Sequence, residues 1–305
     1  MKNVVVHIGC MRCASTYLQT LFKEDPRISL ILKSRFFSYD PYYKEGPSHL
    51  SKILSTGSDK KLIIDSDENY SLGRFKSKLI QAKDIDFNFR KELSVIEHDV
   101  PMMAKRIKAT YPNARILMVI RNQADWIKSV YKHDIQHFGI DSGFESFLKG
   151  DLGQAYNNAA NFNNLYDIYV GLFGKDNVKV LLLEDLKKNK ALFYKNLSEI
   201  VGFDFAKADL NRRSKNDSKS DGFIYLQRIL NRISQHDPEK KENIIYRHSK
   251  YIIYKAEKII DKSLKKELIS EIQLQNFKDQ FVDGNKALSK KIKLHDEMKE
   301  LGYFS

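Results

Sequence analysis

Apolar residues fall into short runs along the first two hundred residues, and these runs alternate with stretches of helical spacing. Four runs are short and rich in β-branched residues, which is typical of strands buried on both faces of a parallel sheet. These runs are residues 4–8, 62–64, 114–120 and 178–183. Residues 30–32 form a further short apolar run.

Between these runs, apolar residues recur three and four positions apart, which predicts amphipathic helices. One predicted helix follows the first strand. The others cover residues 100–111, about 123–137, 157–173 and 186–201. Strands that alternate with helices at this spacing predict an α/β fold with a doubly wound parallel sheet flanked by helices.

The last third of the chain has a different pattern. Residues 207–222 are polar and basic, and residues 223–298 read as wholly helical and rich in lysine, with Tyr251 and Ile252 on the expected buried face. Because no internal repeat or low-complexity linker separates this part from the rest, we expect a single domain over residues 1–305, with a helix-rich, basic C-terminal part at about 207–305.

Composition adds a preference for anionic partners. The 305 residues are 42% hydrophobic and 30% charged, as in ordinary soluble proteins, but they carry a net charge of +13. A basic surface attracts nucleic acid, anionic glycans, anionic cofactors or an anionic membrane face, and charge alone does not choose among them. No run approaches the roughly 20 apolar residues of a membrane span, and a strand begins too early to leave room for a signal peptide, so we expect a cytoplasmic location.

The residues after the first predicted strand resemble a phosphate-binding loop. A strand, a turn of small residues and a helix N-terminus together form an anion site, because the helix dipole and unpaired N–H groups point at the turn. Gly9, Ala14 and Thr16 fit the pattern G-x-x-x-x-G-K-[ST] in part, but Ser15 stands at the lysine position and Arg12 is the cation of the loop. A nucleotide kinase needs that lysine, so a P-loop kinase is kept only as an alternative.

The same loop contains the pair Cys10 and Cys13, in the spacing of a redox C-x-x-C motif at a helix start. A redox protein is therefore a second alternative, and a nucleic-acid binder that uses the basic helices is a third. The sequence has no second cysteine pair for a zinc site, and we expect no metal.

Three segments together resemble the family of sulfotransferases that use 3′-phosphoadenosine 5′-phosphosulfate (PAPS), in its bacterial, carbohydrate-type branch. Residues 9–16 are similar to the loop that binds the 5′-phosphosulfate, with arginine in place of its lysine and alanine in place of its glycine. Residues 111–131, with a strand that ends at Arg121 and a helix that carries Ser129 eight positions later, are similar to the 3′-phosphate motif. Residues 183–186 match a strand end common in the family.

The resemblance implies a P-loop-like fold, PAPS as the donor, no nucleic acid as partner and a hydroxyl of a carbohydrate or glycolipid as the acceptor. A peripheral contact with an anionic membrane surface, at the inner membrane face, would suit the basic helices. The residues implied to bind the donor are Arg12, Cys13, Ala14, Ser15, Thr16, Arg121, Ser129, Arg212 and Arg213. Alanine is acceptable at position 14 only if its φ is negative, since otherwise glycine would be required.

The resemblance also implies the residues of catalysis and acceptor binding. Glu68, in an acidic run at a strand end, is expected to be the base that takes the acceptor's proton, and Arg12 to stabilise the leaving phosphate. Lys33 and His133 are expected to contact the acceptor. Acceptor choice is expected to lie in loops such as 33–60 and 134–156.

Overall fold

The structure is a computed structural model, and it describes residues 3–32, 61–72, 74–76, 96–205, 219–234, 251–252, 255, 264 and 266–304. The described strands and helices, in chain order, are β1 (Asn3–His7), α1 (Ser15–Glu24), β2 (Ile28–Leu32), β3 (Leu62–Ser66), β4 (Arg74–Lys76), β5 (Ile96–His98), α2 (Val100–Thr110), β6 (Arg115–Ile120), α3 (Gln123–His137), α4 (Phe144–Lys149), α5 (Asp151–Ala160), α6 (Phe162–Phe173), β7 (Val178–Leu182), α7 (Leu183–Lys188), α8 (Lys190–Val201), α9 (Asp221–Ser234), α10 (Glu271–Asp279), α11 (Val282–Ile292) and α12 (His295–Glu300). Short 3₁₀ turns lie at Glu68–Tyr70 and Lys175–Asn177.

The chain divides into two compact units. The first, here called the sheet unit, comprises Met1–Arg121, Asn161–Arg212 and Gly284–Leu301. The second, here called the α3 unit, comprises Asn122–Ala160, Arg213–Asp283 and Gly302–Ser305. The expectation of one domain over the whole chain stays a prediction.

A five-stranded parallel sheet forms the centre of the sheet unit. Its order is β2-β3-β1-β6-β7, with every neighbouring pair parallel. The apolar runs that predicted strands are buried, as a sheet covered on both faces requires. The predicted fold class, a doubly wound parallel sheet flanked by helices, is therefore confirmed. A separate antiparallel pair joins β4 to β5.

The winding of the sheet reverses between β1 and β6, the position at which doubly wound sheets form a crevice. From β1 the chain proceeds to one side of the sheet, towards β2 and β3, and from β6 it proceeds to the other side, towards β7. In doubly wound sheets, ligands bind where the winding reverses in this way, at the carboxyl ends of the strands. The segments that follow β1 and β6 are residues 9–14 and Arg121, so the topology brings both to this crevice.

Two long predicted helices are each interrupted by an asparagine. Asn161 separates α5 from α6, and its side chain accepts a hydrogen bond from the backbone N–H of Asn164 at 3.1 Å. Asn189 separates α7 from α8 in the same way, through the N–H of Leu192 at 3.1 Å. The predictions of single helices over 157–173 and 186–201 were wrong because helical periodicity continued across an N-cap residue.

The α3 unit is built around the helix α3. Trp126, Val130 and Tyr131 on one face of α3 are fully buried, and Trp126 packs edge-on against Tyr156 of α5. Asn231 of α9 donates to two backbone carbonyl groups at the C-terminal end of α3 and just after it. These contacts fix α3 firmly within its unit.

The described helices α9 to α12 agree with the predicted helical C-terminal region. Tyr251 and Ile252, however, are 60% and 64% exposed rather than buried. Periodicity identified an apolar stripe, but it could not show whether another element covers that stripe. In the part of the chain that the structure describes, no helix is both long enough and apolar enough to cross a membrane.

Candidate phosphate-binding site

The loop after β1 has an alternating backbone conformation. Arg12 and Ala14 lie in the left-handed region with φ of 64° and 60°, whereas Met11 and Cys13 do not. Alternation of this kind turns successive N–H groups towards one concave side, which is how backbone loops bind anions. The condition for alanine at position 14, a negative φ, is therefore not met, and the left-handed conformation of Ala14 costs about 1–2 kcal/mol relative to glycine.

The N-terminus of α1 faces this loop without a protein cap. Ala14, at the N-cap position, supplies no side-chain hydrogen bond. The Ser15 Oγ atom is buried and has no hydrogen-bond partner among the described residues. Since a buried hydroxyl without a partner is costly, both observations fit an anion bound at the start of the helix. Thr16, next along the helix, is exposed.

The entry to the loop is held by a buried histidine. His7 Nδ1 lies 2.8 Å from Ser66 Oγ of β3, which also accepts a hydrogen bond from Gln19 of α1 at 3.2 Å. A Cβ atom on Gly9 would lie 2.4 Å from His7 Nε2, so only glycine fits there. Burial lowers the pKa of His7 to about 4, and the histidine is therefore neutral. His7 is thus a fully buried core residue.

Glu68 lies in a turn that is bonded to the same loop. The turn follows β3 and is capped by Asp67, whose side chain accepts from the N–H of Asn69 at 2.9 Å. Ser71 Oγ lies within hydrogen-bonding distance of the Glu68 carbonyl oxygen at 3.1 Å and of the Gly9 carbonyl oxygen at 3.3 Å. Glu68, half-buried, therefore stands at the same edge of the sheet as the loop. The contact through Ser71 was not foreseen, because a single serine carries no readable signal.

The buried carboxylate of Asp65 binds the last residue of this turn. Tyr70, the last residue of the turn, donates to Asp65 at 3.1 Å, and Tyr111 donates to the same carboxylate at 3.0 Å. Asp65 is fully buried within β3. Asp65 thus fixes the turn that carries Glu68 to β3 through Tyr70, and Tyr111, at the end of α2, holds the same carboxylate.

Arg121 and Glu184 follow β6 and β7 at this edge, and both act electrostatically on the loop. Burial raises the pKa of the Cys13 thiol well above its usual value, and a hydrogen bond to Cys10 raises it further. The charge of Arg121 opposes this increase and the charge of Glu184 adds to it. Arg121 is thus close to the loop, as the strand order requires. The part of Glu184 in this environment was missed, although its position at a strand end was noted.

The chemistry of the two cysteines disfavours the redox alternative. Cys10 and Cys13 are reduced and fully buried. Reactive redox cysteines are partly exposed and have lowered pKa values, whereas the pKa of Cys13 is raised. The kinase alternative is disfavoured by the serine at the lysine position. Within the described ranges, no group of three or more His, Cys, Asp or Glu side chains could hold a metal ion.

The other predicted site residues belong either to the α3 unit or to the part of the chain outside the described residues. Ser129 and His133 are half-buried residues of α3, and His133 Nδ1 lies 3.0 Å from Asp134 Oδ1. The ring of His133 also packs against the ring of His137, with 4.6 Å between centroids. Lys33, Arg212 and Arg213 lie outside the described residues. The roles expected for these five residues stay predictions.

Comparison with known proteins gives a partial sequence match. No family model matches the chain. Human sulfotransferase 6B1 is 37% identical over 98 residues, which make up 30% of this chain and 30% of the human protein. Mouse sulfotransferase 6B1 is 34% identical over the same length. The match thus covers only about 30% of the length of these curated relatives.

Two solved structures are similar over more of the chain but at lower identity. A sulfotransferase from Alicyclobacillus acidocaldarius has a TM-score of 0.49 and 14% identity, covering 88% of this chain and 97% of the other. Mouse sulfotransferase SULT7A1 complexed with PAP has a TM-score of 0.45 and 11% identity, covering 98% and 89%.

The fold and the loop are those of a P-loop-like α/β protein, with the loop of residues 9–14 at the point where the winding of the sheet reverses. The sequence match then confirms the predicted resemblance to the sulfotransferase family.

Proposed function

We propose that this protein is a sulfotransferase that moves a sulfuryl group from PAPS to a hydroxyl group of an acceptor. The observation that carries the proposal is the loop of residues 9–16. It combines an alternating backbone, an uncapped helix N-terminus and a buried hydroxyl without a partner among the described residues. The match to sulfotransferase 6B1 supports the same reading.

The loop has groups suited to the charge that develops during transfer. Sulfuryl transfer needs the acceptor oxygen, the sulfur and the leaving oxygen in line, and negative charge builds up on the leaving phosphate. Arg12 would meet that charge with a bidentate fork, and the N–H groups of Cys13 and Ala14 would add fixed dipoles. Ser15 and Thr16 would bond the 5′-phosphate with their hydroxyl groups.

The 3′-phosphate is what distinguishes PAPS from ordinary nucleotides. We assign its recognition to Arg121, at the end of β6, and to Ser129 in α3. Arg212 and Arg213 would close over the same phosphate. The location of Arg121 beside the crevice between β1 and β6 supports its part in this assignment.

Glu68 would act as the base that takes the proton of the acceptor hydroxyl. Its turn is bonded to Gly9, at the start of the loop, through Ser71. A base must lie close to the hydroxyl group that attacks the sulfur. The hydrogen bonds of Ser71 would keep Glu68 close to the loop that binds the donor, and so to that hydroxyl group.

The proposed acceptor is a hydroxyl of a carbohydrate or glycolipid, contacted by Lys33 and His133. The net charge of +13 suits an anionic glycan or a peripheral contact with an anionic membrane surface, and we place the protein in the cytoplasm at the inner membrane face.

Calorimetric titration with adenosine 3′,5′-bisphosphate tests the proposed donor site. We expect the wild-type protein to bind, and Arg121→Ala to weaken binding at least about tenfold, because a charge-assisted contact to phosphate is lost. Arg115→Ala is the matched control, since Arg115 lies at the opposite end of the same strand and bonds to the Val201 carbonyl. Absence of wild-type binding, or equal weakening by both variants, would contradict the proposal.

A further inference from the structure

An amide-lined cavity of about 490 Å³ lies among α4, α5 and α10 of the α3 unit. Its volume is within the usual range for small-molecule sites. Four of its lining residues carry side-chain amides, namely Gln154, Asn157 and Asn158 of α5 and Gln280, which ends α10. Asn157 and Asn158 follow Gln154 by three and four positions, so all three share one face of α5. No step of the proposed transfer uses this cavity.

The elements around the cavity are firmly packed. The turn from α4 to α5 is tight, since a Cβ atom on Gly153 would lie 2.1 Å from the Phe147 carbonyl oxygen. Gln273 of α10 donates to the Glu145 carboxylate of α4 at 3.1 Å. Phe277 of α10 lines the cavity and is almost fully buried. The cavity is therefore preformed, and a ligand would lose little affinity to ordering of its walls.

The amides of the walls have hydrogen-bonding capacity that the protein does not use. Gln154 Nε2 donates to the Lys149 carbonyl oxygen at 3.1 Å, and Gln280 Nε2 donates to a carbonyl oxygen one turn earlier in α10 at 3.2 Å. Each bond leaves the Oε1 atom of the glutamine as an acceptor. The side chains of Asn157 and Asn158 have no partner among the described residues. The walls thus offer both donors and acceptors to a ligand.

The cavity is balanced in charge, although the protein has a net charge of +13. The charged residues that line it are Glu145 and Lys149, one of each sign. Recognition of a phosphate or sulfate group depends on an excess of cationic donors, so the lining does not favour an anion. The lining residues also belong to helices or to a helix end, whose backbone groups are bonded within the helix, so an extended peptide has no strand edge to join.

We propose that this cavity binds a neutral saccharide. A hydroxyl group both donates and accepts, and a side-chain amide pairs with it in either sense. The C–H face of a sugar ring would lie on the apolar surface of Leu148 and Phe277, with the hydroxyl groups at the amides. The inference goes beyond the proposed function, because saccharide binding here needs neither the donor nor the loop of residues 9–16.

The test measures binding of neutral disaccharides to the full-length protein by saturation-transfer NMR, without nucleotide. The probes are cellobiose, maltose, lactose and N,N′-diacetylchitobiose. We expect at least one of them to bind, and Asn158→Ala or Gln154→Ala to weaken it about fivefold each, the usual net value of one hydrogen bond. Both side chains are exposed, so their truncation should not disturb the fold. Raising the salt concentration from about 0.1 M to about 1 M should leave the affinity unchanged, since the ligand is uncharged.

Asn276→Ala is the matched control, since Asn276 is an exposed asparagine of α10 that does not line the cavity. The inference is overturned if none of the disaccharides binds at up to about 10 mM, or if Asn158→Ala and Gln154→Ala both keep full affinity. Equal weakening by Asn276→Ala would overturn it as well. Equally tight binding of a blocked tripeptide of glycine would also contradict it, because the cavity would then not select hydroxyl groups.

Discussion

The buried side chain of His7 supports the start of the loop that follows β1. Its ring occupies the space that a side chain on Gly9 would need, and Ser66, which itself accepts a hydrogen bond from Gln19, holds the ring in place. No hydrogen-bond partner of its Nε2 atom occurs among the described residues. The ring is stable there only while it is neutral, because protonation would place a charge in the core.

The stability of the protein should therefore fall in mild acid because of His7. Its pKa is about 4 in the folded state and about 6.5 in the unfolded chain, so between these values the unfolded state binds more protons. Lowering the pH from about 7 to about 5 should cost about 2 kcal/mol through this residue alone. Urea unfolding at both pH values measures this difference in the free energy of unfolding. In His7→Asn the difference between the two pH values should be smaller than in the wild type by about 2 kcal/mol.

His137→Asn is the control for this pH dependence, since His137 is exposed at the end of α3. Its pH dependence should equal that of the wild type. An unchanged pH dependence in His7→Asn would show that His7 is not the group that titrates.

Glu68 is the residue on which the proposed chemistry depends most. Glu68→Gln should lower the rate of bisphosphate release from PAPS at least about a hundredfold in the presence of a glycan that the wild type accepts, because general-base catalysis is lost. Affinity for adenosine 3′,5′-bisphosphate should stay within about twofold of wild type, since the glutamine keeps the shape of the turn. Glu199→Gln, an exposed glutamate paired with Lys179, should change neither quantity. Full turnover by Glu68→Gln would remove Glu68 from the mechanism.

At the scale of elements, the loop before α1 stores backbone strain. Arg12 and Ala14 both have positive φ values, and neither is glycine. Such strain persists only because contacts in the rest of the fold stabilise the loop. The strained conformation holds the N–H groups of the loop in a preorganised arrangement.

Replacement of Ala14 by glycine should relieve part of this strain. We expect Ala14→Gly to raise the free energy of unfolding by about 0.5–1 kcal/mol, because the relief of left-handed strain exceeds the added entropy of the unfolded chain. Ala287→Gly, within α11, should instead lower it by about 1 kcal/mol. Thermal or chemical unfolding of both variants checks the sign, and destabilisation by Ala14→Gly would show that position 14 does not have the left-handed conformation.

Two helix boundaries are set by N-cap residues, which the periodic spacing of apolar residues does not reveal. Apolar spacing continues through Asn161 and Asn189, and it predicted one helix where two exist. A polar residue with a short side chain within a periodic stretch was the available signal. Its effect could not be decided from the sequence, because asparagine also occurs on the exposed faces of uninterrupted helices.

At the scale of the whole molecule, strand order is what makes the site. The runs at residues 4–8 and 114–120 are more than a hundred residues apart, yet β1 and β6 are neighbours in the sheet. The sequence predicted parallel strands and a phosphate-binding loop, but pairing between particular strands depends on long-range packing. Only the order of the strands showed that the segments after β1 and β6 face one crevice.

The sequence by itself determined the α/β class, the buried strands, the loop of residues 9–16 and the resemblance to sulfotransferases. These depend on local periodicity and on residue types at fixed spacing, which a single chain displays directly. The tertiary structure decided the left-handed backbone of Arg12 and Ala14, the bond from Ser71 to Gly9 and the cavity that α4, α5 and α10 line together. These depend on contacts between residues far apart in the chain, and such contacts exist only once packing has brought the elements together.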